Sequence, residues 1–475
     1  MNGRVVNQMN KSYDKNIMLY FEGNNNPCEC ISEENQQLVR EVLSKKEFTG
    51  KAGDKAELSF LQNGRLLNLV YLGVGKKEEF NSEKLRRTLF TALKGEKGDY
   101  LISGDTNEVV LTDAITEVEN YLNYSFDKYK ETKEEKFLSL DIFKGETKED
   151  GFEGRVLGEA VCITRDLINE PANVIYPETL GEFASKYGKE FGFQVEIKDE
   201  DEIASLGMES YLAVARAAEK RPKLIVMRYN GDPANPETIT GLIGKGLTYD
   251  TGGLSLKPTD GMVGMKSDMG GAATVIGAMT AVARMKVKRN IVAVIAACEN
   301  SIGGNAYRPG DIIGSMGGKT IEVTNTDAEG RLTLIDAITY SIRNEKVSEI
   351  IDVATLTGGV IVALGFDATG AFTNTPEMYS RLETVSKEYG ELVWQMPLFD
   401  EYKEILKSNV ADLVNSGGRW ASAASAAKFL EEFVEGTPWM HLDIAGTSFA
   451  SKAEQYYPKG ATGRVVRALY GYLKG

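Results

Sequence analysis

The chain has 475 residues, 42% of them hydrophobic and 26% charged, and a formal net charge of −14 at pH 7. That length exceeds the roughly 250–300 residues at which one hydrophobic core stops growing, so at least two domains are expected, and the composition excludes a disordered or fibrous chain. The acidic surplus disfavours nucleic acid as a partner of the whole surface, and a single histidine, His441, excludes zinc sites built on several histidines.

The polar start Met1–Asn16 lacks the apolar core of a signal peptide. Residues 1–150 read as a first α/β unit. The apolar runs Leu66–Leu72 and Val109–Leu111 predict buried strands, Ser82–Leu93 a helix, and Phe137–Phe143 a final edge strand among charged connections. Residues 153–168 carry Val156, Ala160, Ile163 and Leu167 on one helical face. Pro171 forbids continuation, so residues 151–170 are expected to form a linker helix. Residues 171–475 alternate strand and helix. Strands are predicted at Lys223–Arg228, Thr238–Ile243, Asn290–Ala297, Thr320–Val323 and Glu349–Ala354, and helices at Gly271–Met285, Arg331–Asn344 and Ser422–Phe433. The strands are continuous apolar runs, as in a sheet buried on both faces. The predicted fold is therefore α/β in two domains: a smaller N-terminal domain, and a larger C-terminal one with a central, mostly parallel sheet. No run approaches the ~20 apolar residues of a membrane span. Cys28, Cys30, Cys162 and Cys298 are too few and too scattered for a disulfide framework. Reduced thiols of this kind point to a cytoplasmic location with no membrane partner.

Glycine is concentrated in residues 241–330, which hold 17 of the 49. Two segments there sit where open α/β sheets place their ligands, beyond the carboxyl ends of strands. One runs from Gly244 through Lys245, Asp250 and Lys257 to Met265 and Asp268. The other is Asn325–Leu332, NTDAEGRL. Asp250, Asp268, Asp327 and Glu329 are expected at strand-to-helix turns of one sheet. Four converging carboxylates cannot all stay ionised without compensation, and two divalent cations would cancel them formally. Oxygen donors suit Mg²⁺, Mn²⁺ or Zn²⁺. Lys245 has two readings in such a place: a neutral amine that donates its nitrogen to a metal, or an ordinary salt bridge.

The blocks GKGLTYDTGGLSLKP, SDMGGAA, ENSIGGNAYRPGD, NTDAEGRL, DVATLTGG and HLDIAG, with NEPANV at Asn169–Val174, resemble the leucyl (cytosol) aminopeptidases, peptidase family M17, in the same order. The resemblance covers roughly residues 155–470. It implies a macro-like N-terminal domain and a dinuclear metallopeptidase domain that releases N-terminal residues such as Leu or Met from peptides. Lys245, Asp250, Asp268, Asp327 and Glu329 match the family's metal ligands, with Asp250 and Glu329 shared between the two metals. Lys257 and Arg331 match its catalytic residues. Lys257 would stabilise the developing oxyanion; Arg331, which cannot be a base, would hold a bicarbonate ion that relays the proton. Met265, Thr355, Leu356, Gly358 and Ala445 match the pocket for the substrate side chain. A homohexamer is implied as well. His441, on an apolar strand, reads as a core histidine rather than a ligand. Trp420 departs from the glycine- or alanine-rich residues expected after Arg419. Another dinuclear hydrolase, such as a phosphoesterase, an added DNA-binding role and an inactive interaction protein are the competing readings. Lys245 and the intact NTDAEGRL block oppose the first, the net charge the second, and the complete set of candidate ligands the third.

Overall fold

The computed structural model describes residues 5–6, 12–23, 31–62, 64–104, 110–143 and 151–475. Cys28 and Cys30 lie outside them. The chain divides into two units, Met1–Cys162 with Ala453–Pro458, and Ile163–Lys452 with Lys459–Gly475. The helix Phe152–Asn169 spans the division and ends before Pro171.

The first unit is built on a six-stranded sheet in the order Val5–Val6, Leu138–Phe143, Gly98–Gly104, Lys15–Phe21, Arg65–Gly75, Lys55–Gln62. All neighbours are parallel except the last pair. Successive residues of Lys15–Phe21 feed opposite faces: Ile17, Leu19 and Phe21 enter one core with Leu85, Leu89, Ile115 and Val118, while Met18 and Tyr20 enter another with Val39 and Leu43. Two expectations fail here. Val110 and Leu111 open the helix Val110–Asn123 instead of forming a strand, and Val109 is outside the described residues. Three apolar residues carry no period of their own, and buried Ala114, Ile115, Val118 and Tyr121 continue them with helical spacing. The Phe137–Phe143 run does form a strand, Leu138–Phe143, but not an edge: Val5–Val6 pairs along its outer side.

The second unit carries an eight-stranded sheet in the order Val393–Gln395, Thr369–Thr373, Trp439–Asp443, Glu349–Ala354, Ile239–Asp250, Asn290–Asn300, Lys223–Asn230, Gln194–Lys198. Its centre is parallel, with Ile239–Asp250 between Asn290–Asn300 and Glu349–Ala354. Helices cover both faces of these strands, which accounts for their unbroken apolar runs. The strand predicted over Thr238–Ile243 runs on to Asp250, so Lys245 and Asp250 belong to a strand rather than to the turn after it. Gly244 permits this: a Cβ there would lie 2.7 Å from Ala272 Cα in the covering helix Gly270–Arg284. The register against Asn290–Asn300 shifts by one residue between Leu247 and Tyr249. On a regular strand residues five apart face opposite sides; one extra residue restores Asp250 to the side of Lys245.

The expectation that all four acids stand on turns of one sheet also fails. Thr320–Val323 reduces to Ile321–Glu322, the middle of a separate three-stranded sheet with Ile312–Ile313 and Leu413–Val414. The loop that follows delivers Asp327 and Glu329 to the helix Gly330–Arg343. Asp268 lies in a short 3-10 turn, Met265–Met269, ahead of the helix Gly270–Arg284.

Candidate metal centre

A cavity of about 290 Å³ opens at the carboxyl end of the central strands. Lys245, Asp250, Lys257, Asp268, Asp327, Glu329 and Arg331 line it, and so do Met265, Thr355, Leu356, Gly358 and Ala445. All twelve residues singled out in the sequence therefore share one cavity wall. Ile361 and Phe449 join Met265, Leu356 and Ala445 on its less polar side, and Thr357 and Ser448 also reach the wall.

The charged groups interlock in two sets. Lys245 Nζ lies 2.8 Å from Asp268 Oδ1 and 3.0 Å from Glu329 Oε1, and donates to the Thr355 carbonyl at 2.9 Å. Lys257 Nζ lies 2.8 Å from Asp250 Oδ2 and also pairs with Asp327. In this arrangement Lys245 makes the salt bridge that was one of its two readings. Burial opposes its charge, but Asp268, Glu329 and Asp250 outweigh burial and hold the ammonium above its ordinary pKa. The same balance holds Lys257 high. Burial pushes Asp268 up to about 8 against the pull of Lys245, and Asp250 up to about 6 against Lys257 and Lys245. Glu329 is lowered, because Lys245 and Lys257 together overcome its burial. Arg331 is brought down to about 10 by burial. It remains a cation at neutral pH and cannot serve as a base.

The acids are positioned by polar residues that sequence reasoning did not single out. Asn300, fully buried, donates to Asp250 Oδ1 at 2.8 Å and to the Thr326 carbonyl at 3.0 Å. Thr326 donates to the Gly252 carbonyl at 2.6 Å and accepts from Ser255 N at 2.7 Å, tying the two acidic segments together. Asn415 accepts from Thr324 N and donates to the Asn325 carbonyl at 2.7 Å, and its own carbonyl receives Arg331 Nη1 at 2.9 Å. Asn300 has a faint sequence signal, as a polar residue that ends an apolar strand run. Asn415 has none, since its partners lie about 90 positions away.

The donor set fits a divalent cation. Asp250, Asp327 and Glu329 each present an oxygen within 4.8 Å of the others. Asp268 Oδ2 and Glu329 Oε2 are buried without a hydrogen-bond partner. Such atoms are costly unless something satisfies them. Arg331 Nε is likewise buried and unpartnered. His441 plays no part in this wall. Its Nδ1 is 2.6 Å from Asp352 Oδ1, whose other oxygen receives Trp439 Nε1 at 2.7 Å, and its ring stacks with Phe372 and Trp439. Trp420 is largely exposed, with Arg419 over its ring.

Comparison with known proteins agrees with this geometry. The model of the cytosol aminopeptidase family catalytic domain matches residues 162–470, and that of the family's N-terminal domain matches residues 20–133. The chain belongs to the cytosol aminopeptidase family, and it is a metal-dependent aminopeptidase, a hydrolase of peptide bonds. A probable cytosol aminopeptidase of Fusobacterium nucleatum subsp. nucleatum is 49% identical over all of this chain and 99% of its own. One of Clostridium perfringens is 46% identical over 96% of each chain. Among solved structures, the bottromycin maturation enzyme BotP in complex with Mn superposes with a TM-score of 0.86 at 27% identity, over 98% of this chain and 99% of that one. Among the described residues no helix is long and apolar enough to cross a membrane.

Proposed function

We propose that this enzyme releases N-terminal leucine, methionine and similar residues from peptides at two divalent cations, which Asp250, Asp268, Asp327 and Glu329 would hold together with Lys245 once its ammonium gives up a proton and frees the nitrogen as a donor. One observation carries the reading: Asp268 Oδ2 and Glu329 Oε2 are buried without partners on the wall of a cavity that also has a less polar side. Mn²⁺, Zn²⁺ and Mg²⁺ all suit oxygen donors of this kind, and the Mn bound to the structurally similar BotP favours Mn²⁺. When bound, such cations neutralise the carboxylates and lower the pKa of water enough to supply hydroxide near neutrality.

The protein's own groups do the rest. Lys257, its ammonium held between Asp250 and Asp327, stabilises negative charge that develops on the scissile carbonyl oxygen. Arg331, fixed by the Asn415 carbonyl with its Nε unmet, would hold a bicarbonate ion, which would supply the proton acceptor that the guanidinium cannot be. Met265, Thr355, Leu356, Gly358 and Ala445 receive the first side chain. Their apolar character favours leucine and methionine over charged residues. Residues 171–475 form the catalytic domain in this reading, residues 1–150 the N-terminal domain and residues 151–170 the linker. The working form is a cytoplasmic homohexamer.

Glu329→Ala tests the assignment. The variant should lose bound metal at one or both positions and nearly all release of leucine from a leucyl amide. Wild-type turnover surviving the change would overturn the two-metal reading.

A further inference from the structure

The cavity's two sides are joined by a residue that is not itself part of the lining, Asp443, whose charge is also felt by Arg331. Asp443 ends the strand Trp439–Asp443, in register with Ala354 at the end of the neighbouring parallel strand. The last ladder hydrogen bond there runs from Ile444 N to the Ala354 carbonyl at 2.8 Å. Beyond it the two chains part and frame the cavity, Thr355–Gly358 on one side and Ala445 on the other. Parting chains leave amide groups that need acceptors. The Asp443 carboxylate, 1% exposed, supplies them. Its Oδ1 accepts from Leu356 N and from Ala445 N, each at 3.1 Å. Its Oδ2 accepts from Thr357 Oγ1 at 2.7 Å.

That third bond sets a further one. The Thr357 hydroxyl proton is committed to Asp443, which turns its lone pairs toward Val360 N at 3.1 Å and caps the helix Gly358–Leu364. This helix carries Gly358 and Ile361 into the cavity wall. One residue before Leu356, Thr355 reaches the polar side. Its carbonyl receives Lys245 Nζ, and its hydroxyl donates to Asp268 Oδ1 at 2.7 Å. One buried carboxylate thus holds the backbone of Leu356, the helix start and Ala445 in one arrangement, next to the residue that touches Lys245 and Asp268.

We infer that Asp443 is the positioning residue that sets the shape of the pocket for the first side chain, and with it the preference for a large apolar residue over a small one. The inference rests on the reading of this cavity as the aminopeptidase site. An amide at this position would keep one acceptor for Leu356 N and Ala445 N. It would, however, turn a donor toward a hydroxyl that already receives Val360 N. The Thr357 proton would then have no acceptor, and the helix start would lose its fixed position.

The experiment compares leucyl and alanyl amides on the metal-loaded full chain. Asp443→Asn should lower kcat/KM for the leucyl amide about tenfold, mainly through KM, while the alanyl amide changes by less than about threefold. Bound metal should stay at the parent level. Thr357→Val should reproduce the loss of discrimination, Thr357→Ser should largely retain it, and the Asp443→Asn, Thr357→Val double variant should fall well short of additivity. Should Asp443→Asn fail to fold, the two Thr357 variants decide the matter alone. A well-folded Asp443→Asn or Thr357→Val variant with lowered thermal stability but parental discrimination between the two amides would overturn the inference. A parent enzyme inactive on both amides would instead sink the underlying functional reading.

Discussion

Replacing Lys245 by methionine should destabilise the chelator-treated catalytic unit by about 3–5 kcal/mol, the usual cost of removing one partner from a buried ion pair. Methionine keeps the length and most of the volume of the aliphatic stem, so packing changes little. The charge does not survive. The ammonium lies 2.8 Å from Asp268 and 3.0 Å from Glu329, and the three side chains are at most 6% exposed. At an effective dielectric of ~20, each contact near 3 Å is worth about 5 kcal/mol before desolvation. Most of that offsets the burial of the charges, but the variant keeps the burial and loses the attraction. The Thr355 carbonyl also loses its donor. For a unit of this size the loss should lower the midpoint of its thermal transition by roughly 5–8 °C. Calorimetry in EDTA near pH 8 measures it, with the transition of the first unit followed separately because a two-domain chain is not expected to unfold in one step. Excess Mn²⁺ should not close the gap, because the variant lacks one of the proposed ligands and gains less from binding than the parent. A variant whose midpoint in EDTA stays within about 1 °C of the parent would refute the claim that Lys245 holds these carboxylates together.

Three other changes probe the same site. Lys257→Ala should leave bound metal intact and lower kcat/KM by about 10²–10³-fold, the size expected for a lost oxyanion donor; metal loss, read by atomic emission, would contradict that role. Gly330→Ala adds a Cβ 2.7 Å from Lys245 Nζ and 2.9 Å from its Cδ, so it should displace the lysine at a cost of about 1–3 kcal/mol. A urea midpoint and a metal affinity both equal to the parent's would count against the close approach. The chelated protein should also respond to pH against the usual trend. Asp250 and Asp268 are raised to about 6 and about 8 in the folded state, so their contribution is fully present below pH ~4, the unfolded value, and is lost as pH rises through the folded values. Urea midpoints in EDTA should therefore fall between pH 5 and pH 9, and a rise over that range would show that these acids are not raised.

Much of the site is local, and local features are readable. Asp327, Glu329 and Arg331 follow one another across a helix start, and Met265 and Asp268 share a single 3-10 turn. Helix positions were readable for the same reason: the helices predicted at Gly271–Met285 and Arg331–Asn344 form one residue earlier, as Gly270–Arg284 and Gly330–Arg343. Where only a few apolar residues stood alone, as at Val109–Leu111, no period distinguished strand from helix. Even the strand around Lys245 was drawn too short, because glycines that usually mark a turn here admit the helix packed on top.

The amino-acid order by itself determined which acids, lysines and arginine were available, and that no histidine stood near them to bind a metal. Tertiary structure alone decided how those groups meet. The order of the parallel strands brings Lys245 to Asp268, Glu329 and Thr355, and a one-residue shift of register turns Asp250 to the same side. Asn415 and Asp443 were invisible beforehand, and Asn300 showed only as the polar end of an apolar run, because each is a single polar residue whose hydrogen bonds cross between distant segments. A periodic pattern reports which side of an element is buried; it carries no information about which far segment will need an acceptor there once the chain has folded.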